Sequence, residues 1–271
     1  MVDRISDEEI IALMQAMKGR YGLDFTQYEM KSLKRGIVRL MMKHKIQTML
    51  ELWSKILKDR DFFVKGIDDL LVNLTELFRN PDAWIMIRDE ILIKFESKPR
   101  IDIWHAGCST GEEVYTMGIV LEEKKMLQRS NLLATDLSSQ ALAKAVLGDY
   151  SLVLLQQYLK PFLKFYPNKK LEDYFDFNEN HATIKSHYKT NVLFQKHNLV
   201  HDGMQRQFDI IFCRNVMIYF DEGLKVQVLN LFHQSLKKGG YLVIGYYDIM
   251  PDGGKELFDV YDIKTRIYSK K

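Results

Sequence analysis

Cysteine and proline are scarce in this chain of 271 residues, which holds 2 of the first and 5 of the second. Cys108 and Cys213 are each flanked by strand-like sequence, and neither their spacing nor any signal peptide points to a disulfide framework or a zinc site. A reducing, cytoplasmic home is the expectation, with no metal. No apolar run approaches the length of a membrane span, and repeats and low-complexity tracts are missing. Charge of one sign is lacking too. A formal net charge of +3 is too small to imply nucleic acid on its own, so any basic function must come from local clustering. What is present, 46% hydrophobic residues, is enough for an ordinary globular core: one large domain, or a small one joined to a medium one, in a soluble protein.

The first part of the chain, to about residue 75, reads as all-helical. Ser6 precedes Asp7-Glu8-Glu9 as a helix cap would, and Ile10, Leu13, Met14 and Met17 supply an apolar face until Gly19 and Gly22 interrupt it. A second helix is expected from near Thr26. It carries Leu33, Ile37, Leu40 and Met41 on one side and Lys31, Arg35, Arg39 and Lys43 at i,i+4 spacing on another. Lys34, His44 and Lys45 thicken this basic stripe, and no acid intervenes between Lys31 and Lys45. Such a stripe is either a solvated helix face or a docking surface for an acidic macromolecule. Helical patterns continue through Met49–Leu57 and Phe62–Leu74, and Pro81 suits the first turn of another helix.

Beyond Pro99 the period changes. Strand-like runs at Arg100–Ala106, Asn131–Thr135, Val192–Lys196, Phe208–Cys213 and Tyr241–Tyr246 alternate with helical ones, the pattern of an α/β domain with a mainly parallel sheet. Leu257–Tyr261 and Lys264–Ser269, joined by a short turn, predict an antiparallel hairpin at the end.

The first of these strands stops at Gly107, passes Cys108-Ser109-Thr110, and opens a helix after Gly111. A strand, a glycine turn and a helix start make the entry to a nucleotide-type pocket, because glycine lets the backbone approach a ligand and the helix start presents free N–H groups. This turn is not G-x-G-x-x-G, has no phosphate-binding lysine, and places Glu112 and Glu113 where a diphosphate would sit. Acids there suit a ligand with a cationic end. The second strand ends in Asp136, whose two oxygens match a ribose diol; the alternative is an N-cap for the helix from Ser139 to Val146. At the end of the fourth strand Asn215 and Tyr219 bring an amide and a phenol to the functional edge of the sheet, although Tyr219 also reads as a buried, packed tyrosine.

Four segments carry a resemblance: Thr75-Glu76-Leu77-Phe78-Arg79, Cys108-Ser109-Thr110-Gly111-Glu112-Glu113, Ala134-Thr135-Asp136, and Phe212-Cys213-Arg214-Asn215-Val216-Met217-Ile218-Tyr219-Phe220. In this order they resemble the signatures of the CheR family, bacterial chemotaxis methyltransferases that use S-adenosylmethionine to methylate glutamates on chemoreceptors. The likeness extends to Gly22-Leu23-Asp24-Phe25 and the basic helix. It implies a Rossmann-like class I methyltransferase domain over 76–271, a helical receptor-recognition domain over 1–75, and a small β-subdomain inserted at 152–191. It implies S-adenosylhomocysteine as product, the cytoplasmic helical region of chemoreceptors as partner, no nucleic acid, no membrane insertion, and a monomer.

The resemblance also implies roles. Asn73, Thr75 and Arg79 match positions that contact the methionine part or the reacting end of the cofactor. Glu113, chosen over Glu112 by its spacing to the ribose acid, matches the residue that holds the amino group. Asp136 matches the ribose ligand, Asn198 and Leu199 the segment beside adenine, and Asn215 and Val216 a further cofactor contact. Arg79 and Tyr219 match the catalytic pair, and Lys31, Arg35, Arg39 and Lys43 fall on the receptor-reading helix. Two departures stand out: Gly245-Tyr246-Tyr247-Asp248 replaces the usual Gly-x-Ser-Glu, and the insertion lacks a glycine-rich turn around Asn178-Glu179-Asn180, against its tethering a receptor-tail peptide. A cofactor-binding sensor or scaffold without turnover is the competing class. Arg79 and Tyr219 together favour an enzyme, since a scaffold needs neither.

Overall fold

Ser6 caps the first helix, α1 (Asp7–Tyr21), through a reciprocal pair: its hydroxyl accepts the Glu9 N–H at 3.2 Å while the Glu9 carboxylate accepts the Ser6 N–H at 3.0 Å. The computed structural model describes residues 5–70 and 75–271. They belong to two units, Met1–Asn73 with Met217–Gln227, and Leu74–Val216 with Val228–Lys271.

In the helical unit, α1 is followed by α2 (Met30–Lys43), α3 (Met49–Lys58) and α4 (Arg60–Leu70). Helix α2 starts at Met30 rather than near Thr26 for a local reason. Asp24 Oδ1 takes both the Thr26 N–H at 2.9 Å and its hydroxyl at 2.5 Å, holding this stretch in a turn, and the Glu29 carboxylate caps the helix by accepting from Lys31 N and Ser32 N. The expected helix to Leu74 ends, within the described residues, at Leu70. Ile10, Leu13, Leu40, Leu52 and Phe63 are buried here, and α2 approaches α4 closely at Gly36, where a Cβ would lie 2.6 Å from the Leu70 carbonyl oxygen.

The sheet unit opens with α5 (Pro81–Met86), continued by a π turn and a 3-10 turn to Phe95. Then come β1 (Ile101–Ala106), α6 (Glu112–Glu123), β2 (Ser130–Asp136), α7 (Ser139–Leu147), β3 (Asp149–Ser151), α8 (Leu152–Phe165), β4 (Phe175–Phe177), β5 (His181–Ile184), β6 (Val192–Lys196) and β7 (Phe208–Cys213). The chain ends with α9 (Glu222–Ser235), through which the division between units runs, β8 (Leu236–Ile244), α10 (Asp252–Lys255), β9 (Phe258–Asp262) and β10 (Ile267–Lys270).

Seven strands form the main sheet in the order β6-β2-β1-β7-β8-β10-β9. The first five are mutually parallel, and β10 runs antiparallel to both β8 and β9, so the sheet is mainly parallel with an antiparallel hairpin at its end. Strand β7 is buried along its whole length, as a central parallel strand covered on both faces must be. Its neighbours Ile103, Val114, Met117, Val120 and Val243 share the core, each contributing roughly 1.5–3 kcal/mol on burial.

The insertion begins with a helix. Strand β3 and α8 precede the two short strands, and β3-β5-β4 form a separate antiparallel sheet. The turn between β4 and β5 works without glycine because Asn178 Oδ1 accepts from both Asn180 N and His181 N.

Candidate active site

Two glycines shape the turn after β1, each for a different contact. Gly107 has φ +81°, and a Cβ there would meet Val216 Cγ2 at 2.4 Å, so the loop after β7 packs directly on the turn. Gly111, at φ +93°, passes Ala145 of α7, where a Cβ would lie 3.0 Å from the alanine methyl. The backbone between them is tied to the end of β2: Gly107 N and Cys108 N both donate to the Thr135 carbonyl, and Ser109 N donates to Asp136 Oδ2 at 2.8 Å. Burial, with the charges of Asp136 and Glu113 behind it, pushes the Cys108 thiol well up, which makes it inert.

Glu112 and Glu113 open α6 but face different ways. Glu112 is buried, accepting from the Thr110 hydroxyl at 2.7 Å and the Tyr158 hydroxyl at 3.1 Å; the same tyrosine reaches the Thr75 carbonyl at 3.2 Å. Burial raises its pKa, with those two hydrogen bonds opposing. Glu113 lies between His105 Nδ1 at 2.9 Å and Arg214 Nη1 at 3.2 Å. Burial would raise its pKa too, but the His105 hydrogen bond and the Arg214 charge hold it below the usual carboxylate range. Glu113 is therefore the more acidic of the two.

Arg214 links that acid to Arg79. Its Nη2 donates to the Arg79 carbonyl at 2.8 Å and to Asn80 Oδ1 at 3.0 Å, and its guanidinium lies over the Trp84 ring, whose Nε1 donates to the same carbonyl. Arg79 is flanked by Phe78 and Asn80, both with positive φ, at 53° and 55°. Such a backbone persists only where its surroundings over-determine it, and Arg214, Trp84 and the Thr116 hydroxyl that accepts from Phe78 N do so.

Asp136 closes the question of its capping role. The N-cap of α7 is Ser138, whose hydroxyl accepts from Ala141 N, while Asp136 Oδ1 accepts from Ser138 N at 2.9 Å. Its carboxylate is thus fixed in direction by Ser109 N and Ser138 N. The Asn198-Leu199 turn sits beside it, since His197 N donates to the Asp136 carbonyl and Asn198 Oδ1 accepts from Val200 N. Asn215, at φ 61°, donates its N–H to the buried carboxylate of Asp248 at 2.7 Å, and Gly245 N donates to the same oxygen. The aspartate of the unusual Gly245-Tyr246-Tyr247-Asp248 loop thus fastens two strand ends together. A Cβ on Gly245 would fall 2.5 Å from Asn215 N.

The structure therefore gathers Thr75, Arg79, Glu113, Asp136, Asn198, Leu199, Asn215 and Val216 at or beside the carboxyl ends of β1, β2, β6 and β7. Asn73 lies outside the described residues. Tyr219 belongs to the helical unit, where its carbonyl accepts from Glu29 N at 2.8 Å. The basic stripe, in the same unit, is divided. Arg39 donates to the carbonyls of Asp69 and Leu70 at the end of α4, and Lys43 lies 2.5 Å from Asp69 Oδ1. Among the described residues, neither Lys31 nor Arg35 forms an ion pair, both are exposed, and Arg35 donates only to the Ser32 hydroxyl.

Sequence reasoning missed His105, Asn80 and Arg214. A signal for two of them existed: a carboxylate at the start of an apolar helix needs partners, and a histidine and an arginine at the ends of apolar strands are the residues that supply them. Among the described residues, no group of three or more His, Cys, Asp and Glu side chains could hold a metal, and no helix is long and apolar enough to cross a membrane.

The groups at this edge fit S-adenosylmethionine: an ionised acid for an ammonium, an oriented acid for a diol, and Asn215 Oδ1, which is buried without a protein donor among the described residues. Comparison with known proteins agrees. Residues 8–71 match the family model described as CheR methyltransferase, all-alpha domain, and residues 73–267 match the one described as CheR methyltransferase, SAM binding domain. A putative methyltransferase, Cher3 of Pseudomonas putida, is 34% identical over 90% of this chain and 89% of its own length. Chemotaxis protein methyltransferases of Borreliella burgdorferi and Listeria innocua are 31% and 29% identical, over 93% and 88% of this chain and 92% and 89% of theirs. With both domain models matched in order along nearly its whole length, the chain belongs to the CheR methyltransferase family, and its cofactor is S-adenosylmethionine.

Proposed function

We propose that the chain is a protein-glutamate O-methyltransferase of chemotaxis, converting glutamates on the helical cytoplasmic region of chemoreceptors to methyl esters. The chemotactic setting follows the relatives named chemotaxis protein methyltransferase, which match over about nine tenths of both chains. The observation that carries the choice of an acidic macromolecular substrate is α2, where Lys31 and Arg35 stand exposed with no ion-pair partner among the described residues.

When bound, S-adenosylmethionine supplies a methyl group made electrophilic by its sulfonium. Glu113 binds the ammonium and Asp136 the ribose, while Asn215 and Val216 with Asn198 and Leu199 line the remainder. A glutamate side chain with an ordinary pKa near 4.3 is already ionised at neutral pH, so no residue has to act as a general base. Alignment is what the protein contributes. Arg79, on its restrained loop, orients a carboxylate through its planar fork, and Tyr219 gives one hydrogen bond at the reacting end. Proximity of this kind accounts for up to roughly 7–11 kcal/mol of a barrier.

The test is incubation with radiolabelled cofactor and membranes carrying chemoreceptors of the same organism. Base-labile methyl esters on receptor are the expected result. Tight cofactor binding without incorporation into any receptor would leave a cofactor-binding module in place of an enzyme.

A further inference from the structure

Tyr219 and the start of α2 are joined by a short antiparallel pairing. Glu29 N donates to the Tyr219 carbonyl at 2.8 Å, Asp221 N donates to the Gln27 carbonyl at 2.9 Å, and Tyr28 and Phe220 face each other between these two bonds. The Tyr28 ring meets Phe220 edge-on at 5.1 Å and Phe25 at 5.0 Å. One residue then serves both sides: the N–H of Glu29 holds Tyr219, and its carboxylate caps α2 at Lys31 N and Ser32 N. The next groups along the helix include Lys31 and Arg35, exposed cations of the stripe that, unlike Arg39 and Lys43, are not tied to Asp69.

We infer that the strap Gln27–Glu29 is the positioning element for the Tyr219 phenol, so that the helix that reads the substrate and the tyrosine that meets the reacting group move as one body. This rests on the reading of Tyr219 given above. Two backbone hydrogen bonds and an interlocked ring trio restrain the tyrosine's main chain on both sides, which leaves the phenol only its own side-chain torsions. An acidic helix held at Lys31 and Arg35 is then held at a fixed distance from the phenol. Glu29 is a positioning residue, since it touches the tyrosine's backbone and not the reacting atoms. In a transfer limited by alignment, a displacement of about 1 Å costs up to roughly a hundredfold in rate.

Proline tests this cleanly. Glu29 has φ −62°, which proline adopts without strain, and its neighbour Tyr28 is in the extended pairing that a following proline requires. Glu29→Pro therefore removes the N–H that Tyr219 accepts, while Glu29→Ala removes only the cap. Each variant is assayed in the full chain for kcat, receptor KM and cofactor affinity. The expectation is that Glu29→Pro lowers kcat roughly ten- to a hundredfold below Glu29→Ala, with cofactor affinity unchanged and receptor KM equal in the two. In a Tyr219→Phe background the proline should have no further effect, because it acts through the phenol. If Glu29→Pro melts below the assay temperature, Tyr28→Ala, which empties the ring trio and spares the backbone bonds, is expected to lower kcat in the same phenol-dependent way. A Tyr219→Phe enzyme as fast as the parent would overturn the reading of Tyr219 itself. A slow Tyr219→Phe enzyme with Glu29→Pro equal to Glu29→Ala, or additive with the phenylalanine, would overturn the strap alone.

Discussion

The two ends of β1 and β7 each hold a cluster of buried charge, and the clusters differ in whether they are closed. At the amino ends, Asp209 is fully buried and takes Lys98 at 2.5 Å, Lys237 at 2.8 Å and the Asp102 N–H at 2.8 Å, while Asp102 takes Lys237 and Asn131. Every side-chain atom of that cluster that is buried has a partner. At the carboxyl ends, His105, Glu113 and Arg214 form a chain, yet His105 Nε2, Arg214 Nε, Ser109 Oγ and Asn215 Oδ1 are buried with no hydrogen-bond partner among the described residues. Buried polar atoms are costly to leave unmatched, so an end that tolerates several is organised for something other than stability. One end of the sheet is fastened from within; the other is arranged for a ligand.

The largest effect that would break this comparison lies at the fastened end. Asp209→Ala leaves two lysine ammoniums facing a gap, and breaking a buried pair costs about 3 kcal/mol here, the low end of the usual range because Lys98 and Lys237 are partly exposed. Denaturant unfolding should show that loss, with cofactor affinity in the folded protein at the parental value. At the open end the order reverses. Asp136→Ala should weaken S-adenosylmethionine binding by about 2 kcal/mol, the size of a charge-assisted hydrogen bond, as read by calorimetry. A drop in affinity from Asp209→Ala equal to that from Asp136→Ala would erase the distinction.

The helical unit repeats the contrast on a smaller scale. Asp24 is a closed site: burial would raise its pKa, but the Lys18 ammonium at 2.6 Å and the Thr26 hydrogen bonds bring it down to about 2 from 3.8. A depressed carboxylate adds stability above its unfolded value and loses it as the pH falls through the folded one. Asp24→Asn should therefore cost about 1–2 kcal/mol at neutral pH, and the difference from the parent should shrink between pH 4 and pH 2 in acid-unfolding curves. On α2, Lys31 and Arg35 are open while Arg39 and Lys43 are closed onto α4. Reversing Lys31 and Arg35 to glutamate should raise receptor KM and flatten its salt dependence, each exposed charge being worth roughly 0.2–1 kcal/mol. Neutralising Arg39 and Lys43 should lower the melting temperature instead.

Much of this was legible in the chain itself. Phe208–Cys213 comes out of the hydrophobic pattern with its boundaries intact, because a covered parallel strand is a nearly continuous apolar run, and Val192–Lys196 does so as well although it is a partly exposed edge strand. The start of α2 was misplaced, since the Asp24 turn and the pairing of Tyr28 with Phe220 override helical periodicity there. Strand β3 is too short to leave a pattern, and only its pairing with β5 defines it. At the site, Glu113 and Asp136 were readable from their places after strands. Arg214 carries only the general signal of a cation at a strand end, and its particular partners, Arg79, Asn80 and Glu113, lie far away in sequence. The grouping of Met217–Gln227 with the helices was equally hidden, as local periodicity carries no information about distant partners.

The claim that the carboxyl edge is the ligand side and the amino edge the fastened one is tested most directly by ligand-induced stabilisation. A ligand that binds only the folded protein raises its stability by RT ln(1 + [L]/Kd), so the shift in melting temperature on adding S-adenosylhomocysteine reports the site alone. Parent and Asp209→Asn should show the same upward shift from different starting temperatures, and Glu113→Gln, which also starts lower because the buried Arg214 loses its charged partner, should show little shift. A full shift in Glu113→Gln together with a lost shift in Asp209→Asn would place the ligand at the wrong end of the sheet and contradict the account.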